Sequence, residues 1–154
     1  MTSRSVSTVV PYTAEQMFDL VVDVERYPEF LPWCTALRIR DRAVDHGIET
    51  LTADMVVAFK VFRERFGSRS IFDREALTIS TSYLNGPFRD LNSNWVFESH
   101  DDGSTVSFNI DFEFRNVILQ STAAMFFEGA FLQMHDAFIE RADHIYENTG
   151  SPAR

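Results

Sequence analysis

Val106-Ser-Phe-Asn-Ile-Asp-Phe-Glu-Phe114 and the residues after it decide the architecture of this chain. Val106, Phe108, Ile110, Phe112 and Phe114 alternate with polar Ser107, Asn109, Asp111 and Glu113. Successive side chains of a strand point to opposite faces, so the pattern predicts a half-buried strand with an apolar inner face. After Arg115 the period changes. From about Asn116 to Tyr146 the apolar residues return at helical spacing, which predicts one long helix. A long helix lying across an antiparallel sheet with this much aromatic surface can enclose an apolar ligand.

At about 100° per residue, Leu119, Ala123, Phe126, Phe127, Ala130, Phe131, Met134, Ala137, Phe138 and Ile145 fall within one stripe. The stripe is about 140° wide, enough to face a core. Its centre is small, with Ala123, Ala130 and Ala137 seven residues apart, and its flanks are Phe126, Phe127, Phe131 and Phe138. Two readings stand side by side: a groove between aromatic walls, or alanines that let the helix nest closely on the sheet. Met125, Leu132 and Ile139, with Tyr146 drifting after them, fall on the opposite face. They are stray surface residues or a contact strip for a partner chain or membrane. Arg141 falls inside the buried stripe near the helix end, where a cation suits the macrodipole.

Upstream, Ser5 to Val10 reads as a first strand ended by Pro11. Thr13-Ala-Glu-Gln16 is a capping box that starts a helix running to about Val22, with Met17, Leu20 and Val21 inward. A second short helix is expected at Asp23–Tyr27, broken by Pro28 and Pro32. Strands follow around Leu37–Ala43, Leu51–Phe59, Phe62–Asp73, Leu77–Tyr83 and Leu91–Phe97, with turns at Asp45-His46-Gly47 and Asp101-Asp-Gly-Ser104. The order is strand, two helices, six strands, long helix. Strands joined by short turns are antiparallel, and their apolar face needs a cover. The expected fold is α+β, a curved antiparallel sheet gripping a long C-terminal helix, in one domain over 1–146 with a frayed tail at 147–154.

A chain of 154 residues suits one domain. Fifteen Phe residues form either a Phe-rich core or a soft aromatic lining. No apolar run reaches the roughly 18 residues of a membrane span, and the N-terminus has no apolar signal region. Cys34 is the only cysteine, so no internal disulfide forms. The location expected from these features is the cytoplasm, either free or peripheral at the inner face of the membrane. The net charge of −9 disfavours nucleic acid, DNA included, and anionic membranes. Arg38, Arg40, Arg42, Lys60, Arg63, Arg65, Arg69 and Arg74 do crowd the middle of the chain, nearly balanced by acids there.

Chemistry-bearing patterns are few. His46 and His100 fall in predicted turns, and His135 and His144 on polar helix faces. None has metal-ligand spacing, and adjacent His135 and Asp136 point about 100° apart on a helix. Cys34 has no cation beside it to lower its thiol pKa. Asp41 and Glu64 alone interrupt the inward strand phases, and either could be turned outward by a bulge. A cyclase or hydrolase would need one of them in its cleft. The segment Ala58-Phe-Lys-Val-Phe-Arg63 places aromatics beside cations at an expected turn, an interfacial pattern unless the turn lies elsewhere.

Val22-Asp-Val-Glu-Arg-Tyr-Pro-Glu-Phe-Leu-Pro-Trp-Cys34, Gly86-Pro-Phe-Arg-Asp-Leu91 with Trp95 and Phe97, Phe112-Glu-Phe-Arg115 and Met125-Phe-Phe-Glu128 resemble the coenzyme Q-binding START-domain family. That family belongs to the polyketide cyclase and lipid-transport superfamily. The resemblance implies a helix-grip fold and non-enzymatic ubiquinone binding in support of respiratory electron transport. A bacterial branch with the same motifs is instead described as a toxin that blocks ribosomal subunit association. The acidic charge speaks against RNA as a partner.

The expected cavity residues are Tyr83, Trp95, Phe97, Phe108, Phe112, Ala123, Phe127, Ala130, Phe131 and Met134, with Tyr83 and Trp95 able to hydrogen-bond a quinone carbonyl. Phe30, Leu31, Trp33, Phe59, Lys60, Val61 and Phe62 are expected to flank the entrance and touch the membrane. No catalytic residue, metal or cofactor is expected, ubiquinone being the bound ligand. The alternatives are a ribosome-binding protein acting through Arg38, Arg40 and Arg42, and a cyclase-like enzyme.

Overall fold

The alternation at Val106–Phe114 lies within the last of seven strands in one antiparallel sheet. The computed structural model describes residues 2–60 and 62–147. The strands are β1 (Thr2–Val10), β2 (Cys34–Asp45), β3 (Ile48–Phe59), β4 (Phe62–Asp73), β5 (Thr78–Asn85), β6 (Phe88–His100) and β7 (Gly103–Phe114). Their order is β1-β7-β6-β5-β4-β3-β2, a meander from β2 to β7 to which β1 adds at the far edge. The helices are α1 (Ala14–Val22), α2 (Tyr27–Phe30) and α3 (Val117–Ala142), and a π-helical turn at Asp143–Glu147 extends α3. The element order and the fold class match the sequence reading. Residues 148–154 of the expected tail, and Val61 of the expected entrance, lie outside the described residues.

Local chemistry explains the boundaries. Thr13 caps α1 as a complete capping box, accepting from Gln16 N at 3.0 Å while Thr13 N donates to Gln16 Oε1 at 2.9 Å. Asn116 caps α3 by accepting from the N–H groups of Ile118 and Leu119 at 2.9 and 3.0 Å. At the β2–β3 turn, His46 and Gly47 both have positive φ, the geometry that matches strand twist in a two-residue hairpin.

Several boundaries differ from expectation. β1 begins at Thr2 rather than Ser5, because pairing with β7 extends to Thr2↔Phe112. Pro28 does not break the second helix. It occupies the first turn of α2, where its missing N–H is no loss. His100 ends β6 rather than sitting in the turn.

The concave face of the sheet is filled unequally. One cluster centres on α1 and the C-terminal half of α3. Phe18, 1% exposed, meets Phe97 edge-on at 5.6 Å, and Phe138 is met edge-on by Tyr27, Phe30 and Trp95. A second cluster gathers Phe88, Leu91, Phe112 and Phe114 beneath Ala123. Ile139 and Tyr146, expected on the free face of the helix, are part-buried against the first cluster. Tyr146 lies 5.7 Å from the Tyr12 ring and donates its hydroxyl to Gln16 O at 2.6 Å. Met125 and Leu132 stay exposed, as expected.

A row of polar contacts fastens α3 to edge strand β1. Gln120 Nε2 donates to Thr2 Oγ1 at 3.0 Å, Arg4 pairs with Glu128 at 2.9 Å, and Thr8 Oγ1 meets His135 Nε2 at 2.8 Å. The other ring nitrogen of His135 lies 3.3 Å from Asp136 Oδ1, so these neighbours do meet despite their angular separation on the helix. Arg141 pairs with Glu29 at 3.1 Å and lies over the Phe30 ring, which accounts for a cation in the buried stripe.

Gly103 is the tightest point of the sheet. Its φ is +148°, and a Cβ there would lie 2.0 Å from Val10 O. Gly103→Ala is expected to cost roughly 2–4 kcal/mol by combining backbone strain with overpacking, read as a lowered midpoint in chemical denaturation. Cys34 is 2% exposed, and burial raises its thiol pKa from 9.0 to about 11. The unfolded chain therefore ionises first. The thiol's contribution to stability is complete below pH 9 and is lost as pH rises through about 11. The native protein at pH 8 is expected to resist thiol reagents that label the unfolded chain at once.

Candidate functional site

The second cluster does not close. Between α3 and the β3–β4 side of the sheet lies a cavity of about 190 Å³, partly open to solvent. β7 supplies Phe108, Ile110, Phe112 and Phe114, and α3 supplies Ala123, Phe126, Phe127, Ala130, Phe131 and Met134. The β3–β4 hairpin adds Val57, Phe59, Phe62, Glu64 and Phe66, β6 adds Phe88 and Leu91, and Trp33 completes the wall. A smaller void of about 30 Å³ lies toward α1, and Phe108 and Met134 border both.

Of the expected cavity residues, Phe108, Phe112, Ala123, Phe127, Ala130, Phe131 and Met134 come together in the wall. Three do not. Phe97, 3% exposed, is packed under α1. Trp95 borders the smaller void and stacks on Phe97 at 6.0 Å. Tyr83 stands behind Phe88 at 5.5 Å, and its hydroxyl accepts from Phe88 N at 3.2 Å. The strand phase was right for Trp95 and Phe97, but their position along β6 puts them at the filled end. The alanine seam divides in the same way: Ala123 and Ala130 line the cavity, while Ala137 sits in the close-packed core.

The expected entrance also divides. Leu31 is 2% exposed and belongs to the core, so it offers no membrane contact, and Phe30 is half-buried against Tyr27 and Phe138. Trp33 faces the cavity and donates Nε1–H to Ala130 O at 3.2 Å, tying the start of β2 to α3. The hairpin turn does lie where it was expected, since Phe59 pairs with Phe62. Both rings turn into the cavity rather than outward. Phe62 stacks with Phe114 at 6.2 Å and meets Phe126 edge-on at 6.4 Å, and Phe59 reaches α3 at Gly129. Lys60 is exposed at the tip, its Nζ 5.6 Å from the Phe59 ring.

Val57, Glu64, Phe66, Phe88, Leu91, Ile110, Phe114 and Phe126 complete the wall without having been assigned to it. The alternation in β7 already marked Ile110 and Phe114 as inward, and the helical stripe marked Phe126. The β4 contribution follows the period-2 run Phe62, Glu64, Phe66. Asp41 and Glu64 part company. A bulge between Ile39 and Asp41 leaves Asp41 exposed, whereas Glu64 keeps its inward phase and borders the cavity. Among the described residues it is the one ionisable side chain bordering the cavity. Among the described residues no three His, Cys, Asp or Glu gather as metal ligands, and no helix is long and apolar enough to cross a membrane.

Comparison with known proteins agrees with this architecture. The chain is 34% identical over 148 residues to "Ribosome association toxin RatA" of Rickettsia prowazekii, covering 94% of this chain and 99% of that one. It is 30% identical over 148 residues to "Coenzyme Q-binding protein COQ10 homolog B, mitochondrial" of Xenopus laevis, covering 92% of this chain and 58% of that one. The solution structure of the 18 kDa protein CC1736 from Caulobacter crescentus superposes with a TM-score of 0.81 at 36% identity, over 96% of this chain and 99% of that one. A START superfamily protein from Mycobacterium smegmatis shares the fold, with a TM-score of 0.78 at 16% identity over 93% and 98% of the two chains. Residues 10–139 match the family described as "Polyketide cyclase / dehydrase and lipid transport", and the chain belongs to that family.

Proposed function

We propose that this protein binds an isoprenoid quinone, ubiquinone or a close relative, as a non-enzymatic carrier. The observation that carries this reading is the cavity itself: about 190 Å³, walled almost wholly by carbon, between an aromatic strand and two small residues of α3. An apolar void of about 150 Å³ stays dry and takes up benzene, so this one has room for a ring or a few isoprene units. Each buried methylene contributes about 0.8 kcal/mol. A longer tail would need Phe108 or Met134 to move, joining the main cavity to the small void they both border. The likeness to a protein named for coenzyme Q binding supports the choice of ligand class. Exchange with a bilayer is proposed at the hairpin, where Lys60 is exposed beside the cavity wall.

Lipid extraction of the purified protein is expected to release an isoprenoid quinone detectable by mass spectrometry. Ala130→Trp fills the cavity from α3 and is expected to weaken binding at least tenfold, about 1.4 kcal/mol, with little change in the circular dichroism spectrum. An empty extract and no saturable binding on titration would sink the reading.

A second reading is association with the ribosome, favoured by full-length likeness to proteins named as ribosome association toxins. The arginine face of β2 is less cationic than its sequence suggests. Arg42 pairs with Glu49 at 2.7 Å, and Arg40 lies 3.6 Å from Asp54. Co-sedimentation with large ribosomal subunits at low salt, lost on changing Arg38, Arg40 and Arg42 to Gln, is the outcome that would favour it. Absence of co-sedimentation removes it.

A further inference from the structure

An antiparallel meander sorts its turns to two ends, and here the two ends carry opposite charge. The β3–β4 hairpin tip, the β5–β6 turn and the β7–α3 junction lie together at the cavity end. In or beside them stand Lys60, Arg63, Arg89 and Arg115, all exposed, with Asp90 as an exposed acid. Arg89 pairs with Glu113 at 3.0 Å, while Lys60, Arg63 and Arg115 enter no ion pair among the described residues. The turns at the other end, between β2 and β3, β4 and β5, and β6 and β7, carry Asp45, Asp73, Glu75, Asp101 and Asp102. The arginine there, Arg74, is held by Asp19 at 2.6 Å.

Exposed apolar side chains stand at the basic end. Val117, Ile118 and Met125 are 77%, 78% and 76% exposed. Ile118 and Met125 are seven residues apart and share one face of α3, with Val117 beside them. No ionisable side chain occurs between Arg115 and Glu128. The inner face of the same turns presents Ala123, Phe126 and Phe127 to the cavity. Met125 lies one turn before Gly129, which Phe59 reaches from the hairpin, so the apolar strip adjoins the tip that bears Lys60. At its other end the N–H of Arg115 donates to Pro87 O at 3.1 Å, which joins the strip to the β5–β6 turn.

Apolar side chains rimmed by cations match an anionic lipid surface. The apolar groups enter the acyl boundary while Lys and Arg stay at the level of the phosphates. A polyanion such as RNA would use the cations and leave the apolar strip without a role. The net charge of −9 opposes approach at long range, but exposed charges are screened beyond a Debye length of about 8 Å. A strand as long as β3 separates the two ends by roughly 35 Å, so a bilayer touching the basic end is screened from the acidic turns. We propose that Val117, Ile118 and Met125, with Lys60, Arg63, Arg89 and Arg115 around them, form a docking face for anionic bilayers that sets the cavity end on the membrane. The inference rests on the carrier reading above and adds the face and the lipid charge through which exchange occurs.

The test is flotation of the full chain, without quinone, on vesicles of equal parts phosphatidylcholine and phosphatidylglycerol. Recovery is expected to exceed that on phosphatidylcholine alone by roughly tenfold and to fall as salt is raised. Ile118→Ser with Met125→Ser, and separately Lys60→Gln with Arg63→Gln and Arg115→Gln, are each expected to remove most of that excess. Orientation is read from a polarity-sensitive dye on an introduced cysteine, since Cys34 is buried. Dye at Ile118→Cys is expected to shift blue on the anionic vesicles, and dye at Asp102→Cys, at the opposite end, to stay unchanged. No flotation of the wild-type protein overturns the proposal, as does flotation that survives both sets of substitutions or a shift at Asp102→Cys in place of Ile118→Cys. If the substitutions instead abolish self-association or ribosome binding in a protein that does not float, the face belongs to that partner and the proposal is overturned. Quinone binding is titrated separately in solution. Docking without quinone binding overturns the choice of cargo and supports the face, and quinone binding without docking overturns the face alone.

Discussion

A curved seven-stranded sheet presents more concave apolar surface than one helix can cover, and the rest of this structure follows from how that surface is covered. α1 and α2 plug one end, where Phe18, Phe97, Tyr27 and Phe138 interlock as a close-packed core. Nothing comparable reaches the other end. There the sheet and the N-terminal half of α3 face each other through phenylalanine rings and two alanines, and the space between them is left open. The cavity is thus a consequence of unequal covering: a close-packed interior and an open cavity are two ends of one surface.

The two long sides of α3 are held by different forces. Along β1 the contacts are directional, from Gln120 with Thr2 through Arg4 with Glu128 to Thr8 with His135. Hydrogen bonds and ion pairs of this kind fix register and orientation more than they add net stability. Facing the β3–β4 hairpin, the contacts are ring against ring and Phe59 against Gly129. Contacts of that sort are non-directional and can be exchanged for those of an apolar guest. The hairpin side is therefore held by exchangeable contacts, while the β1 side keeps the helix in place.

The electrostatic character of the molecule is similarly divided. On β2, Arg40 is partly neutralised by Asp54, and Arg42, which the bulge places opposite Leu51, by Glu49 and Glu25. The interior holds almost no charge, and Glu64 is the exception in the cavity wall. A chain with a net charge of −9 gives up long-range attraction to polyanions. What the cavity offers is short-range: the shape of a surface made almost wholly of carbon.

Much of this was legible in the residues. Period-2 alternation from Val106 to Phe114, the Thr13 capping box and the helical stripe from Leu119 determined the element order and the inward faces, because these are local properties set by backbone geometry. The turn within Ala58–Arg63 was one of two open readings, and the pairing of Phe59 with Phe62 decided it. Phase, however, carries no information about position along a strand. Trp95 and Phe97 share the inward phase of Leu91, yet only Leu91 meets the cavity, because α1 lies over the other end of β6. The same limit split the alanine seam and drew Leu31 and Phe30 into the core. Asp41 and Glu64 were indistinguishable as sequence, and a bulge in one strand and its absence in the other separated them. The sequence by itself determined the elements and the inward phase along their regular stretches. Only the tertiary structure decided which of them are packed and which are left facing an open space, since that depends on which element lies across each stretch of the sheet.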